Sequence, residues 1–471
     1  MGQFDEKIRV MYKSGEFFDR GQPVYIGRAP GRMDLMGGNV DYTGGLVFEM
    51  TIREATWVAA QLRNDNRIVF RNPQMREHGW RAEVEFRLED MDDEATVRSL
   101  VNESPEVRWT AYVLGVFCFL RKRFPAETRT GINVYLESDV PLNKGVSSSA
   151  AVEVATMKTA CHAYGIDLKG IELALACQWV ENAIAESACG IMDQAAIVLG
   201  REGSCLPLLC QPCALFPPLT MPSDLTVWGI DSGVRHAVTG IEYEAARAAC
   251  FMGYKLICDW KGLTLRSDES SGISRYIDPC WNGYPSNISP SEFRSCYEQR
   301  LPEVWTGAEY LRVAAFHIDP YTQVRPDVSY RIRACMRYAV EDNHRIQTFV
   351  ELVRMSAETA GESTFALLGE LMYQSHYSYT ECGLGSEATD LIVNLVREEG
   401  IRNGLFGAKI TGGGAGGTVA VLGRNDASDA FSRVVQRYKE RTGISPYVFE
   451  GKSNGADHFG IIQARFDGLE S

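Results

Sequence analysis

Between Pro141 and Ala151 the chain reads PLNKGVSSSAA and continues into EVATMKTA, a helix-forming stretch. A Gly-Ser-rich turn that opens a helix presents unpaired backbone N–H groups, and the helix dipole adds a field that favours an anion. Ser147, Ser148 and Ser149 add hydroxyl donors for phosphate oxygens, and one of them could ligate magnesium. Gly145 lets the backbone approach a ligand closely. The spacing is not that of a Walker loop, because no G-x-x-x-x-G-K-[ST] is present. The plainer alternative is a serine-capped helix, for which one serine would suffice.

Two further glycine-rich segments stand far from this one in the chain. Residues 29–45 read APGRMDLMGGNVDYTGG, and residues 409–418 read KITGGGAGGT. Five glycines in six positions, entering the strand-like TVAVL, suit a place where backbone passes close to a ligand or another loop. Taken alone, such a run could equally be a tight turn.

The elements that would position these loops follow from periodicity. Residues 24–72 alternate apolar and polar side chains around glycine turns, which predicts antiparallel strands. Helices are expected over 105–123, 149–165, 168–186, 345–374 and 387–399, and a buried strand over Leu225 to Ile230. The prolines between Pro207 and Pro222 suggest the interdomain linker. Residues 260–330, rich in Trp, Pro, Tyr, Ser and Asn without clean periodicity, read as a long irregular insertion. Strand 417–422 and a segment at 459–464 would complete a sheet. Mixed strands and helices of this kind indicate α+β domains rather than a doubly wound fold.

At 471 residues the chain is too long for one ordinary core, so two domains are expected, over 1–215 and 216–471. A net charge of −13 argues against nucleic acid or an anionic membrane surface as partner. An anionic ligand would then need a local cationic or amide-lined pocket. The N-terminal residues hold no apolar stretch of signal-peptide length, and no run is long enough to span a membrane. The thirteen cysteines are scattered singly, as reduced cysteines in a cytoplasmic protein would be. The one CxxC, Cys210 and Cys213, lacks a second ligand pair for zinc and reads as a turn after a strand. The seven histidines, His78 and His236 among them, form no interpretable constellation.

Together the three loops, in this order, resemble the GHMP kinase superfamily and its galactokinase-like branch. The family's GRVNLIGEHTDYNGG is approximated by GRMDLMGGNVDYTGG, its PLGGGLSSSAALEVA by PLNKGVSSSAAVEVA, and its TGGGFGGC by TGGGAGGT. RWTAYVLGV around Trp109, CGIMDQ at 189–194 and SGVRHAVTGIEY ending at Tyr243 add further matches. The resemblance extends roughly over residues 24–425, leaving out the insertion near 260–330. MGGNVDYTGG, HYSYTECGLGS and AKITGGGAGGTV make the kinase domain of plant L-arabinokinases the most similar subgroup. The resemblance implies a two-domain GHMP kinase fold with the active site in the interdomain cleft, ATP and Mg2+ as cofactors, and a monosaccharide as substrate.

It also implies residue roles. Asp193 is the candidate base, with Arg32 beside it to stabilise charge as the phosphoryl group moves. Ser149 and Glu181 would bind magnesium; Gly145, Ser147 and Ser148 would hold the phosphates; Trp109 would lie near the adenine or simply in the core. Lys144 replaces the family's usual glycine, and either adds a cation for the phosphates or points to solvent. Arg32, Asp41, Gly190, Asp193 and Tyr243 would contact the sugar. The galactokinase Glu-His pair, whose Glu meets the C6 hydroxymethyl, is here Gly38 and Asn39. L-Arabinose has the ring stereochemistry of D-galactose without C6, and an unpaired buried Glu would cost of order 1–3 kcal/mol. The expectation is therefore anomeric phosphorylation of L-arabinose. Galactose or galacturonate phosphorylation is the nearest rival, and a non-catalytic ATP and sugar sensor the rival of another class.

Overall fold

The computed structural model describes residues 2–234, 241–267, 274–359 and 361–464. Residues 235–240 of the SGVRHAVTGIEY motif, His236 included, lie outside the described residues. After helix α1 (Gly2–Ser14), the alternating segment forms β1 (Val24–Met36), β2 (Leu46–Leu62) and β3 (Arg67–Arg71). Then come β4 (Glu83–Arg87), α2 (Glu94–Val101), α3 (Ala111–Arg123) and β5 (Ile132–Ser138). Helices α4 (Ser148–Tyr164), α5 (Gly170–Ala183) and α6 (Met192–Leu199) follow. In the first sheet β1 and β2 run antiparallel, with Arg32 opposite Thr51 and Asp34 opposite Glu49. β5, β3 and β4 extend that sheet beyond β2, and the β3–β5 pairing is parallel.

The proline cluster is not a free linker. Pro207 lies within β6 (Ser204–Leu209), opposite Phe48 of β2, and β7 (Ala214–Leu215) and β8 (Leu219–Thr220) add to β6. Proline read as a breaker is tolerated where the ladder does not need its N–H. The second sheet begins with β9 (Leu225–Asp231), followed by helix α7 (Ile241–Lys261). The insertion is less irregular than its composition suggests. It holds the hairpin β10 (Thr264–Ser267) and β11 (Ser274–Ile277), the short α8 (Pro290–Glu292), paired β12 (Trp305–Thr306) and β13 (Ser329–Tyr330), and α9 (Gly307–Val313).

The helix expected over 345–374 is two helices, α10 (Ile332–Thr359) and α11 (Glu362–Glu381), followed by α12 (Glu387–Glu399). Strands β14 (Leu405–Ile410) and β15 (Thr418–Arg424) continue onto β9, and after α13 (Ser428–Thr442) β16 (Val448–Phe449) takes the far edge. Trp228 stacks on Phe431 at 4.7 Å in the core of this second sheet. The two segments expected to complete one sheet are in different sheets. β15 belongs to the second, whereas β17 (Ile461–Ala464), after α14 (Ala456–Phe459), pairs with β1 in the first. Alternation identifies a strand but carries no information about its partner.

The two sheets meet where the first and third glycine-rich loops meet. Lys409 at the end of β14 places its ammonium 2.6 Å from Asp34 Oδ2 of β1, and both side chains are fully buried. The Thr411 hydroxyl and the Gly412 N–H donate to Asp34 Oδ1, and the Gly38 N–H donates to Oδ2 at 2.9 Å. Burial alone would raise the Asp34 carboxyl; Lys409 foremost, then Arg32, hold it below its ordinary range. His376 of α11 fixes the same strand from behind, accepting the Ile410 N–H at 3.3 Å and facing Asp390 at 3.0 Å.

Breaking one partner of such a pair leaves a buried charge uncompensated, at about 3–5 kcal/mol. Lys409→Met should therefore lower the unfolding free energy by about that amount in urea denaturation. Adding Asp34→Asn should recover part of the loss, so that the double variant is more stable than the sum of the single effects.

Candidate active site

The loop from Pro141 to Ser147 delivers α4 end-on to the junction of the sheets. Its helix has no side-chain cap, because Ser147 takes a left-handed φ of 59° and turns its hydroxyl elsewhere. The first turn of α4 thus has no side-chain cap, the arrangement in which a helix N-terminus can receive an anion. The third loop braces this one from the other domain. A Cβ at Gly145 would stand 2.9 Å from the Thr411 carbonyl oxygen, and one at Gly412 would stand 2.6 Å from that of Gly145. Two backbones pass here at a distance that only glycine allows. Thr418 adds a hydroxyl bond of 2.7 Å to the Lys144 carbonyl.

Asp193, in the first turn of α6, is held on both oxygens. Arg32 reaches Oδ1 through Nε at 2.9 Å and Nη2 at 2.7 Å, and the Ser147 hydroxyl donates to Oδ2. Arg32 also donates from Nη1 to the Gly145 carbonyl at 2.8 Å. Burial works against the Arg32 charge, but Asp193 foremost, then Glu49 and Asp34, keep the guanidinium above its ordinary value. Glu49 on β2 lies 3.7 Å from Arg32 with neither carboxyl oxygen hydrogen-bonded; burial first and then Asp34 push it well above its ordinary value.

Ser149 and Glu181 are in contact, the hydroxyl donating to Oε1 at 3.0 Å. Gln194 bridges Glu181 at 2.7 Å and Glu153 at 3.3 Å. Burial and the charge of Asp193 raise Glu181 to about 7. Burial and Glu181 raise Glu153 well above its ordinary value, and one Glu153 oxygen has no hydrogen-bond partner. Hard oxygen donors in an acid-rich pocket at a helix N-terminus fit magnesium. Among the described residues no group of three or more His, Cys, Asp or Glu is arranged to hold a metal. A cation here would therefore depend on Ser149, Glu181, phosphate oxygens and water.

Asp41, Gly190 and Tyr243 gather near Asp193. Burial first, then Asp193, raises Asp41 to about 6, against the opposing pull of Arg247. Gly190 lies directly on the Asp41 carboxylate, where a Cβ would overlap Oδ2. Tyr243 meets Tyr42 edge-on at 5.8 Å. At Gly38 a Cβ would fall on the Tyr379 hydroxyl and within 3.0 Å of the Gly412 carbonyl oxygen, so the space of a side chain is already filled. Asn39 has a left-handed φ of 61° and is buried with both amide atoms unpaired, at a small cavity lined by Tyr42, Tyr338 and the cysteines 250, 335 and 382.

One expected contact stands differently, and one residue lies in the core, as one of its two readings had it. Lys144 neither points to solvent nor waits free for phosphate; it is paired with the buried Asp231 at the end of β9. Trp109 is buried in the core, with its indole N–H donating to the Arg81 carbonyl at 3.0 Å. Asp34, Glu49, Glu153, Lys409 and Tyr379 went unassigned in the sequence. Four of them are charged residues on largely apolar strands or on an apolar helix, which is the signal that could have marked them.

Residues 15–62 match the galactokinase galactose-binding signature, 111–201 the GHMP kinases N terminal domain, and 356–440 the GHMP kinases C terminal region. An L-arabinokinase of Arabidopsis thaliana is 35% identical over 97% of this chain, which spans 48% of that protein's length. A galactokinase of Chloroflexus aurantiacus is 30% identical, over 94% of this chain and 95% of its own. Among solved structures, Lactococcus lactis galactokinase complexed with galactose superposes with a TM-score of 0.73 at 21% identity, covering 97% of this chain and 99% of that one. Methanococcus jannaschii mevalonate kinase gives 0.54 at 14% identity, over 93% and 100%. These two likenesses bear on the fold.

The contact between Gly190 and Asp41 makes a local prediction. Gly190→Ala must displace the buried carboxylate, an overpacking cost of about 1–3 kcal/mol that urea denaturation should register.

Proposed function

The chain belongs to the GHMP kinase family, within its galactokinase-like branch, and from that membership we propose that it is an ATP-dependent sugar 1-kinase converting L-arabinose to L-arabinose 1-phosphate. The observation that carries the activity is the unit formed by Asp193, Arg32 and Ser147 at the open end of α4. In this reading the anomeric hydroxyl gives its proton to Asp193 while its oxygen bonds to the γ-phosphorus. The bond from that phosphorus to the bridging oxygen breaks, and ADP leaves. Arg32, locked to Asp193 and to the loop, stabilises charge on the migrating group. The α4 N–H groups, Gly145 and Ser148 cradle the phosphates, and Ser147 shares its hydroxyl between phosphate and Asp193. Ser149 and Glu181 would hold a magnesium ion, which supplies charge neutralisation at phosphate oxygens.

Asp41, Gly190 and Tyr243 form the sugar side. The preference for a pentose rests on position 38. Position 38 offers no carboxylate to a C6 hydroxyl, and the Tyr379 hydroxyl that takes up its Cβ space is already committed as a donor to the Gly412 carbonyl. A galactose bound here would bury that hydroxyl without a partner, at about 1–3 kcal/mol. The match of residues 15–62 to the galactose-binding signature favours galactose as the second reading. We place the protein in the cytoplasm, which suits its free thiols; no helix among the described residues is long and apolar enough to cross a membrane.

ATP turnover with L-arabinose and D-galactose in parallel tests both levels of the proposal. L-Arabinose should be preferred by about tenfold or more in kcat/KM, equal to about 1.4 kcal/mol. Asp193→Ala should lower kcat by about 10²–10⁴-fold. A galactose preference would sink the substrate assignment and leave the kinase standing. Sugar and ATP binding without turnover would make the protein a sensor.

A further inference from the structure

The insertion touches the sugar side through a buried ion pair. Arg247 of α7 donates from Nε and Nη2 to the two oxygens of Asp319, both at 2.8 Å, and both side chains are almost entirely buried. Its third arm, Nη1, donates at 3.1 Å to the carbonyl of Ala188, two residues before Gly190. Its guanidinium lies over the ring of Tyr42 at 4.8 Å and over Tyr321 of the insertion at 5.1 Å. Asp319 is fixed in turn: the Thr322 hydroxyl donates to Oδ2 at 2.7 Å, and the Asp319 N–H donates to His317 Nδ1 at 3.3 Å.

One guanidinium therefore contacts the residue beside Asp41, the segment that presses Gly190 onto Asp41, and the insertion. What lies between the sugar loop and the insertion is not solid packing but a cavity of about 400 Å³, bounded by Tyr42, Gly190, Arg247, Tyr284, Asp319 and Tyr321. The pair spans this gap. A second tie, the 2.7 Å bond between the Thr43 and Ser286 hydroxyls, joins the same loop to the insertion. A buried ion pair adds little net stability over an apolar pair of equal volume, so its consequence here is geometric.

We propose that Asp319 of the insertion, by fixing Arg247, holds the loop carrying Asp41 in its sugar-binding position, which makes both of them positioning residues for the acceptor site. The inference rests on the sugar-binding role proposed for Asp41. Through Arg247 the insertion becomes a determinant of sugar affinity without itself touching the phosphates.

The electrostatics give the test a second readout. Asp41, raised to about 6 by burial and Asp193, is drawn back down by Arg247 and, more weakly, Arg32. Tyr243, Tyr42, Tyr379, Cys189 and Cys210 also face it, all neutral groups raised by burial, and His317, beside Asp319, is lowered by burial. A sugar hydroxyl donates to the ionised carboxylate. Removing the Arg247 cation raises Asp41 further, so the acid limb of sugar kcat/KM must move to higher pH.

Calorimetric titration of the full chain with L-arabinose and with ATP tests the inference. Asp319→Asn should weaken sugar binding about tenfold or more and leave ATP binding within about twofold. Arg247→Lys, which keeps the charge and loses the fork, should behave alike and serves if Asp319→Asn fails to fold. Arg247→Gln should shift the acid limb upward. Variants that bind sugar as the wild type does, or that weaken sugar and ATP equally with an unmoved limb, overturn the inference. A wild type that binds no sugar overturns the proposed function instead, and is distinguished by that control.

Discussion

A fully buried ion pair, Asp34 with Lys409, joins the two halves of the molecule at the point where chemistry is expected. Both charges are withdrawn from water, which is tolerable only because every lone pair is used. Asp34 receives Lys409, Thr411 and two backbone N–H groups. The geometry of the site follows from this contact. It fixes the third glycine-rich loop against the first, and the third loop then presses on the second through Gly412 and Gly145. Three segments far apart in the chain become one wall, and α4 points its N-terminal end across it.

Two residues from the Asp34 contact, Arg32 stands among Asp193, Glu49 and Asp34. Were all three carboxyls charged and bonded to it, little of its field would remain for a phosphoryl group. Glu49, pushed up by burial and by Asp34, makes no hydrogen bond, while Asp34 is taken by Lys409. Of the three carboxyls only Asp193 is hydrogen-bonded to Arg32, whose other bond goes to the Gly145 carbonyl. Glu181 and Glu153 are likewise both raised, by burial foremost and then by a neighbouring carboxylate, in a pocket where one Glu153 oxygen is left without a partner.

The loops themselves were legible in the sequence because glycine, serine and their spacing are local signals. Of the residues the resemblance singled out, Arg32 meets Asp193 and Ser149 meets Glu181. Pairing between distant segments was not legible. Nothing local could place β17 beside β1, or Asp231 beside Lys144, since a strand's pattern and a lysine's charge are silent about partners. Pro207 misled because a proline within a strand looks like a linker until its neighbours are known. The insertion concealed its elements behind mixed composition, and with them Asp319, whose role depends on a fold-level meeting with Arg247.

The position of the transferred phosphate tests the account most directly, because the proposed reaction gives Asp193 the proton of one hydroxyl, the anomeric one. L-Arabinose labelled with carbon-13 at its anomeric carbon would be incubated with ATP and magnesium, and the product read by phosphorus and carbon NMR. The account predicts a phosphorus signal coupled to the labelled carbon, as a sugar 1-phosphate requires, and its absence with Asp193→Ala. Phosphate found on any other hydroxyl, or an Asp193→Ala variant that still forms the 1-phosphate at the wild-type rate, would contradict it.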